Sequence, residues 1–157
     1  MSELITPSVA HRFSTTFIFD TGSVFDAIPS INVAFQRISG LSRELQVTQH
    51  SEGGENAHNL WLPEKIQHGT LVMERGITLA TELTLEFDAV MSGEKPVWAN
   101  VLIMLLSENN LPLTSWLVSR ALPVRWQTSD FDANSNTVMI NTLELRYQNM
   151  TLMGAKM

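Results

Sequence analysis

The feature that most restricts the fold is a hairpin whose first strand is apolar on both faces. Residues 97–106 are followed by Asn109 and Asn110, which favour a turn because asparagine tolerates left-handed backbone, and residues 113–122 then return. A strand that is apolar on both faces is expected to be buried on both faces. We therefore expect this hairpin at the centre of the protein, with its second strand broken at Pro123. One face of the first strand carries Val97, Ala99, Val101, Ile103 and Leu105, and the other carries Trp98, Leu102, Met104 and Leu106.

Alternating apolar and polar residues predict further strands before this hairpin. Residues 12–19 place three phenylalanines on one face, and residues 33–38 form a second extended piece. Residues 41–48 show the clearest half-buried pattern in the chain, and we expect them to pair with residues 70–75. The predicted inward residues are Phe13, Phe17 and Phe19, then Leu41, Leu45 and Val47, then Leu71 and Met73.

One helix is expected over residues 79–91, where four apolar residues at helical spacing form one stripe. Residues 137–147 are the last predicted strand, the tail 149–157 shows little pattern, and residues 1–10 are expected to form a mobile arm. Six to eight strands and one helix predict a mainly β fold, an antiparallel barrel or sandwich of two packed sheets with a flanking α-helix. The helical stripe comprises Leu79, Leu83, Phe87 and Val90.

A long connection over residues 50–63 separates two of these strands. Long loops in compact domains usually belong to functional sites or interfaces. Its first half is polar around a glycine pair, whereas Leu60, Trp61 and Leu62 in its second half are too apolar to face water. Either the domain itself or a neighbouring subunit is expected to cover them.

Composition excludes several classes of function. The chain has 157 residues, enough for one domain, which we expect to span residues 1–157. With no cysteine it holds no disulfide framework, thiolate metal site or cysteine nucleophile, and it suits a reducing cytoplasm. The net charge is -6 and the 10 basic residues are scattered, which argues against nucleic-acid binding.

The sequence predicts synthesis in the cytoplasm, because no signal peptide is recognised in it. The first residues lack the basic region and apolar stretch of a signal peptide. The longest apolar run, residues 101–106, is too short to cross a membrane as a helix, so we expect no membrane insertion.

Candidate reactive residues are few. Asp130, Asp132 and Asn134 have the alternate spacing of a calcium loop, but Ser135 and Asn141 replace its required glycine and glutamate, so a turn is the better interpretation. His50, Glu52 and His58 suit zinc chemically but match no helical ligand spacing, which favours surface polar residues. No serine has a nucleophile-elbow context, and Glu52-Gly53-Gly54-Glu55 lacks the lysine of a phosphate loop. We therefore expect no catalytic residue, metal or cofactor.

Several short sequence motifs, in their order along the chain, resemble the tail-tube family of contractile phages and phage-tail-like injection systems. The resemblance covers roughly residues 10–150. The motifs are Phe35-Gln36-Arg37-Ile38-Ser39-Gly40-Leu41, Glu52-Gly53-Gly54-Glu55-Asn56, Leu62-Pro63, Leu71-Val72-Met73-Glu74-Arg75-Gly76, Ala121-Leu122-Pro123-Val124-Arg125-Trp126, Ser129-Asp130-Phe131-Asp132-Ala133 and Thr142-Leu143-Glu144-Leu145.

The resemblance implies a fold shared with type VI secretion tube proteins, closed as a homo-hexameric ring and stacked into a hollow tube. It implies tube paralogues, a spike hub and a sheath as partners, in a phage tail or a released particle. The motifs at residues 52–56 and 121–126 resemble those of ring-forming paralogues near the baseplate more than those of the bulk tube protein. The region 50–63 would be the family's extended loop between subunits, with contacts expected at Glu52, Gly53, Gly54, Glu55, Asn56, Leu60, Trp61, Leu62 and Pro63.

Other functions stay open at this point. The chain resembles a major tube protein of a contractile phage tail almost as well, and the β-rich composition also suits a small sandwich that binds a carbohydrate or protein. A small metal-dependent hydrolase is the third alternative. Rings or tubes of purified protein would favour the tube assignment, and loss of a hydrolytic activity on His58→Ala would favour the hydrolase.

Overall fold

Antiparallel strands dominate the computed structural model, which describes residues 12–20, 30–54, 57–76, 82–94 and 97–154. Within those ranges there are ten strands and one helix, and every strand pairing is antiparallel. The predicted mainly β class with one helix is therefore confirmed. The elements are β1 (Phe13–Asp20), β2 (Ser30–Val33), β3 (Arg37–Ser39), β4 (Arg43–His50), β5 (Leu60–His68), β6 (Thr70–Gly76), α1 (Glu82–Met91), β7 (Trp98–Leu106), β8 (Pro112–Thr128), β9 (Ile140–Arg146) and β10 (Asn149–Gly154).

The long strand β8 joins two sheets. Its first half lies between β7 and β10, and its second half pairs with β9. The strand order is β2-β1-β7-β8-β9-β6-β3, with β10 beside β8. Because one strand serves both sheets, the inner faces enclose one core, as the predicted barrel-like sandwich requires.

The core is built from the alternating residues of both sheets. Phe17, Leu71, Met73, Val101 and Leu145 are fully buried. The predicted inward faces of β1 and β6 are therefore confirmed, since period-2 alternation places these residues on one side of each strand.

Helix α1 packs its buried Phe87 between the two sheets. The Phe87 ring lies 5.8 Å from the Phe17 ring and 5.9 Å from the Trp126 ring, measured between centroids. Arg75 Nη2 on β6 donates to Thr84 Oγ1 of the helix at 3.1 Å. The observed helix begins at Glu82, and the predicted residues 79–81 lie outside the described part of the chain.

The prediction that Pro123 ends the hairpin is wrong, because β8 continues to Thr128. Pro123 pairs with Leu145, and the register shifts before Arg125 pairs with Glu144. A proline lacks the N–H that a regular ladder needs, and a bulge tolerates that loss. Pro123 therefore lies where the strand passes from one sheet to the other.

The apolar hairpin is central, but it is fully buried on one face only. Ala99, Val101 and Ile103 are buried, whereas Leu102 and Met104 on the other face of β7 remain half-buried. The expectation of burial on both faces is thus wrong for the chain by itself.

Two other expectations fail locally. The predicted extended piece 33–38 is two short strands in different places, since β2 pairs with β1 and β3 pairs with β6. The patternless tail contains β10, which pairs with the first half of β8. Short strands are specified by their pairing partners rather than by their own alternation, so periodicity misses them.

Candidate assembly surface

Strands β4 and β5 form a two-stranded sheet separate from the main sheets, which we call the hairpin arm. Their pairing runs from Arg43 opposite His68 to His50 opposite Leu60. Every residue of β4 is exposed, and so is every residue of β5 except His68. At about 3.3 Å per residue the arm extends roughly 25 Å from its base.

The predicted pairing of residues 41–48 with residues 70–75 is wrong. Strand β4 pairs with β5, while β6 pairs with β3 and β9 in the main sheet. Alternation defines the two faces of a strand but not its partner, and the start of β5 lies inside the predicted connection over residues 50–63.

One face of the arm is apolar, and we call it the apolar arm face. Residues directly opposite in an antiparallel pair lie on the same side, and the register pairs Leu45 with Ile66, Val47 with Pro63 and Gln49 with Trp61. The side chains of Leu45, Val47, Trp61 and Ile66 are 50%, 49%, 60% and 57% exposed. Leu45 and Val47 therefore share one face, as predicted, but no described part of the same chain buries that face.

The opposite face of the arm is mostly polar. Gln46 Nε2 donates to Gln67 Oε1 at 2.5 Å, and Thr48 Oγ1 donates to Glu64 Oε1. Leu60 and Leu62 lie on this face near the tip and are 48% and 43% exposed. Strand geometry thus places Trp61 on one face and its two leucine neighbours on the other.

The predicted contact residues divide between the turn and the strand of the arm. The connection is residues 51–59, and Leu60, Trp61, Leu62 and Pro63 belong to β5, so the predicted loop over 50–63 is wrong in its second half. Glu52, Gly53 and Gly54 are exposed at the tip. Glu55 and Asn56, like residues 1–10, lie outside the described residues. The predicted contact residues did not include Ile66, although it is an apolar residue between Lys65 and Gln67 on the strand that also holds Trp61.

The base of the arm is a close crossing of two chain segments. Gly69 N donates to Ser42 O at 3.0 Å, closing the base. Gly40 has φ +91, and a Cβ there would lie 1.7 Å from Thr70 O. Only glycine fits both the left-handed backbone and the close approach.

The body of the protein holds this base. The Tyr147 hydroxyl lies 2.9 Å from Gly40 O and 3.0 Å from Ser42 O, and the Tyr147 ring centroid lies 5.2 Å from that of His68. Burial raises the pKa of Tyr147, and backbone hydrogen bonds at Ser42 and Gly69 partly oppose this. Arg43 Nη1 also donates to Met150 O at 3.3 Å.

An apolar pocket opens on the body near the start of the arm. Its volume is about 280 Å³. The walls are aliphatic and aromatic, and the polar side chains of Gln36 and Arg37 belong to its lining. The apolar lining residues are Phe13, Ile38, Leu41, Ile103, Leu105 and Trp116.

The acidic loop that was considered as a calcium site forms a turn. Asn134 N donates to Asp132 Oδ1 at 3.0 Å, so the predicted turn at this acidic loop is confirmed. In the described ranges no three His, Asp or Glu side chains converge as a metal site. Among the same residues, no helix has the length and apolarity to span a bilayer.

A family model matches nearly the whole chain. The family model described as T4-like virus tail tube protein gp19 matches residues 11–151. None of the curated proteins compared with the chain matches it.

Solved structures are similar to nearly the whole chain. A chain in the electron cryomicroscopy structure of the anti-feeding prophage baseplate, 6-fold symmetrised, is 56% identical, with 97% of this chain and 99% of that chain covered and a TM-score of 0.88. A chain in the anti-feeding prophage cap, described as tube terminating, is 22% identical over 96% and 93% of the two chains, with a TM-score of 0.77. A chain in the sheath-tube complex of the extracellular contractile injection system PVC is 20% identical over 97% and 95%, with a TM-score of 0.74.

The last two likenesses concern the fold, whereas the family match and the 56% identity extend over nearly the whole chain. Together with the barrel-like sandwich, the flanking helix and the projecting arm, they show that the chain belongs to the T4-like virus tail tube protein family.

Proposed function

We propose that this chain is a structural protein that closes into hexameric rings next to the baseplate of a contractile injection particle, and that it catalyses no reaction. The observation that carries the proposal is the apolar arm face. Four large apolar side chains that are about half exposed form one continuous surface on a projecting hairpin. Such a surface is rare on monomers and marks a protein interface.

Copies of the same chain are the partners that best explain this surface. Exposed edge strands and uncovered apolar faces promote aggregation unless another chain covers them. Closure of a ring removes the free edges of the sheet and covers the half-buried outer face of β7 at the same time.

The stoichiometry and the position rest on the relative with 56% identity. That relative occurs in a baseplate structure with 6-fold symmetry. Tube paralogues, a spike hub and a sheath are the proposed partners in the particle. We also propose that the protein is made in the cytoplasm and becomes extracellular only within the released particle.

Electron microscopy of the purified protein tests the ring. We expect class averages with six-fold rotational symmetry, and another symmetry or a strictly monomeric protein at high concentration would contradict the proposal. Quantitative mass spectrometry of isolated particles tests the position. If the protein lies near the baseplate, its copy number per particle should match that of the other baseplate proteins. That number should also be the same in particles of different tube length. A copy number that rises with the sheath protein would instead identify the bulk tube.

A further inference from the structure

The apolar pocket on the body has the size and lining to accept one large apolar side chain. Its walls come from β1, β3, β7 and β8, and its volume is about 280 Å³. A pocket of mainly apolar lining with a few polar groups is typical of a site that takes an anchor residue at a protein interface.

Trp61 is the largest side chain on the apolar arm face and is 60% exposed. Indole rings are enriched among residues that dominate binding energy, because they bury much apolar area and still carry one hydrogen-bond donor. Gln36 offers that donor an acceptor oxygen, and the Arg37 guanidinium is a cation that can stack on the ring.

The arm cannot place Trp61 in the pocket of its own chain. Leu41 and Ile38, which line the pocket, immediately precede the arm, and the base is closed by the Gly69 to Ser42 hydrogen bond. Trp61 lies eight residues from Gly69 along an extended strand, roughly 25 Å away. Trp61 can therefore reach such a pocket only on another molecule.

We propose that Trp61 of one copy occupies the pocket formed by Ile38, Leu41 and Trp116 of a second copy. This inference rests on the proposed function and names the contact by which the copies join. The arm and the pocket are different surfaces, so the contact is heterologous and every copy has one of each. A chain of such contacts closes only when the rotation between copies completes a ring, and otherwise it extends as a stack.

Two variants separate the halves of the contact. Trp61→Ala removes the anchor, and Ile38→Trp fills the pocket from within. Each variant is expected to raise the concentration at which assembly begins by about tenfold or more, measured by light scattering. Gln46→Ala, on the polar face of the arm and outside the expected contact residues, is the control and is expected to assemble like the unaltered protein. If both pocket and anchor variants assemble normally while the unaltered protein forms rings, this inference is wrong and the proposed function stands.

A mixture of the two variants gives the sharper test. The Trp61→Ala chain keeps its pocket and the Ile38→Trp chain keeps its anchor, so one contact can form between them but no further copy can join. We expect heterodimers in the mixture and monomers in each variant alone. A contact between two arm faces would instead leave Ile38→Trp fully able to assemble, and that result would overturn the inference.

Cross-linking locates the contact even if Ile38→Trp folds poorly. The chain has no cysteine, so introduced thiols report without background. Gln49→Cys lies opposite Trp61 on the apolar arm face, and Gln36→Cys lies in the lining of the pocket. We expect a disulfide between copies when the two variants are mixed and oxidised. His50→Cys, on the opposite face, is the control, and equal cross-linking by both arm positions would contradict the proposed orientation.

Discussion

The phenolic oxygen of Tyr147 lies 2.9 Å from the carbonyl oxygen of Gly40, at the point where the chain leaves the body to form the hairpin arm. The same oxygen lies 3.0 Å from Ser42 O, so its proton can be donated to either carbonyl. Tyr147 is the only tyrosine of the chain and follows β9 directly. A buried side chain more than a hundred residues away in sequence therefore contributes to holding the base of the exposed arm.

Loss of this hydroxyl is expected to weaken the base of the arm. Tyr147→Phe removes a hydrogen bond to a buried carbonyl group, and we expect the free energy of unfolding to fall by about 1 kcal/mol in urea denaturation. Thr16→Val is the control, since it removes the exposed hydrogen bond from Thr16 Oγ1 to Asn32 Oδ1. An equal loss in both variants would show that Tyr147 has no special role at the base.

The raised pKa of Tyr147 predicts a loss of stability at alkaline pH. Burial favours the neutral phenol, so the folded-state pKa lies above the ordinary value of 10.0. The stabilising contribution is complete below that ordinary value and disappears as the pH rises through the folded-state pKa. Because the chain has one tyrosine, tyrosinate absorbance should titrate later in the folded protein than in urea. Stability curves of Tyr147→Phe should fall less steeply than those of the unaltered protein above about pH 10.

Gly40 is expected to be the least replaceable glycine among those described. Gly40→Ala places a methyl group against Thr70 O in a left-handed backbone, and we expect a loss of more than about 1 kcal/mol, measured by thermal or urea unfolding. Gly53 at the tip of the arm has open space around it, so Gly53→Ala should change stability by less than about 0.5 kcal/mol. A tolerated Gly40→Ala would mean that the crossing at the base is loose.

Phe87 is expected to hold α1 on the sheets. Phe87→Ala empties a site that is 1% exposed and in contact with Phe17, Phe19 and Trp126, and we expect a loss of about 3–5 kcal/mol. Leu85→Ala, at a position of the same helix that is 64% exposed, should cost less than about 1 kcal/mol. Similar losses at both positions in urea denaturation would contradict the packing described for the helix.

Ile66 separates assembly from the stability of one chain. It is 57% exposed on the apolar arm face, so Ile66→Ser should change the free energy of unfolding of the monomer by less than about 0.5 kcal/mol. The concentration at which rings form should nevertheless rise, as light scattering can measure. Gln46→Ser, on the polar face of the arm, is the control and should leave that concentration unchanged. A monomer destabilised as strongly as its assembly would place Ile66 in the core rather than at an interface.

Much of the fold followed from local patterns. The alternation in β1 and β6 identified the buried residues Phe17 and Leu71 without any knowledge of their partners. The spacing of apolar residues located α1 through Phe87. These features depend on neighbouring residues in sequence, because side-chain direction repeats every two residues in a strand and every 3.6 in a helix.

The sequence by itself determined which residues need cover, and only the tertiary structure decided where that cover is missing. Alternation marked Leu45 and Val47 as one apolar face, but the partner of β4 depends on long-range pairing that no local pattern encodes. Tyr147 and Gly40 are brought together by the same long-range pairing, so their relationship could not be predicted. The apolar arm face is the proposed assembly surface because it lies outside the core of its own chain, and burial is a property of the folded molecule and not of the sequence pattern.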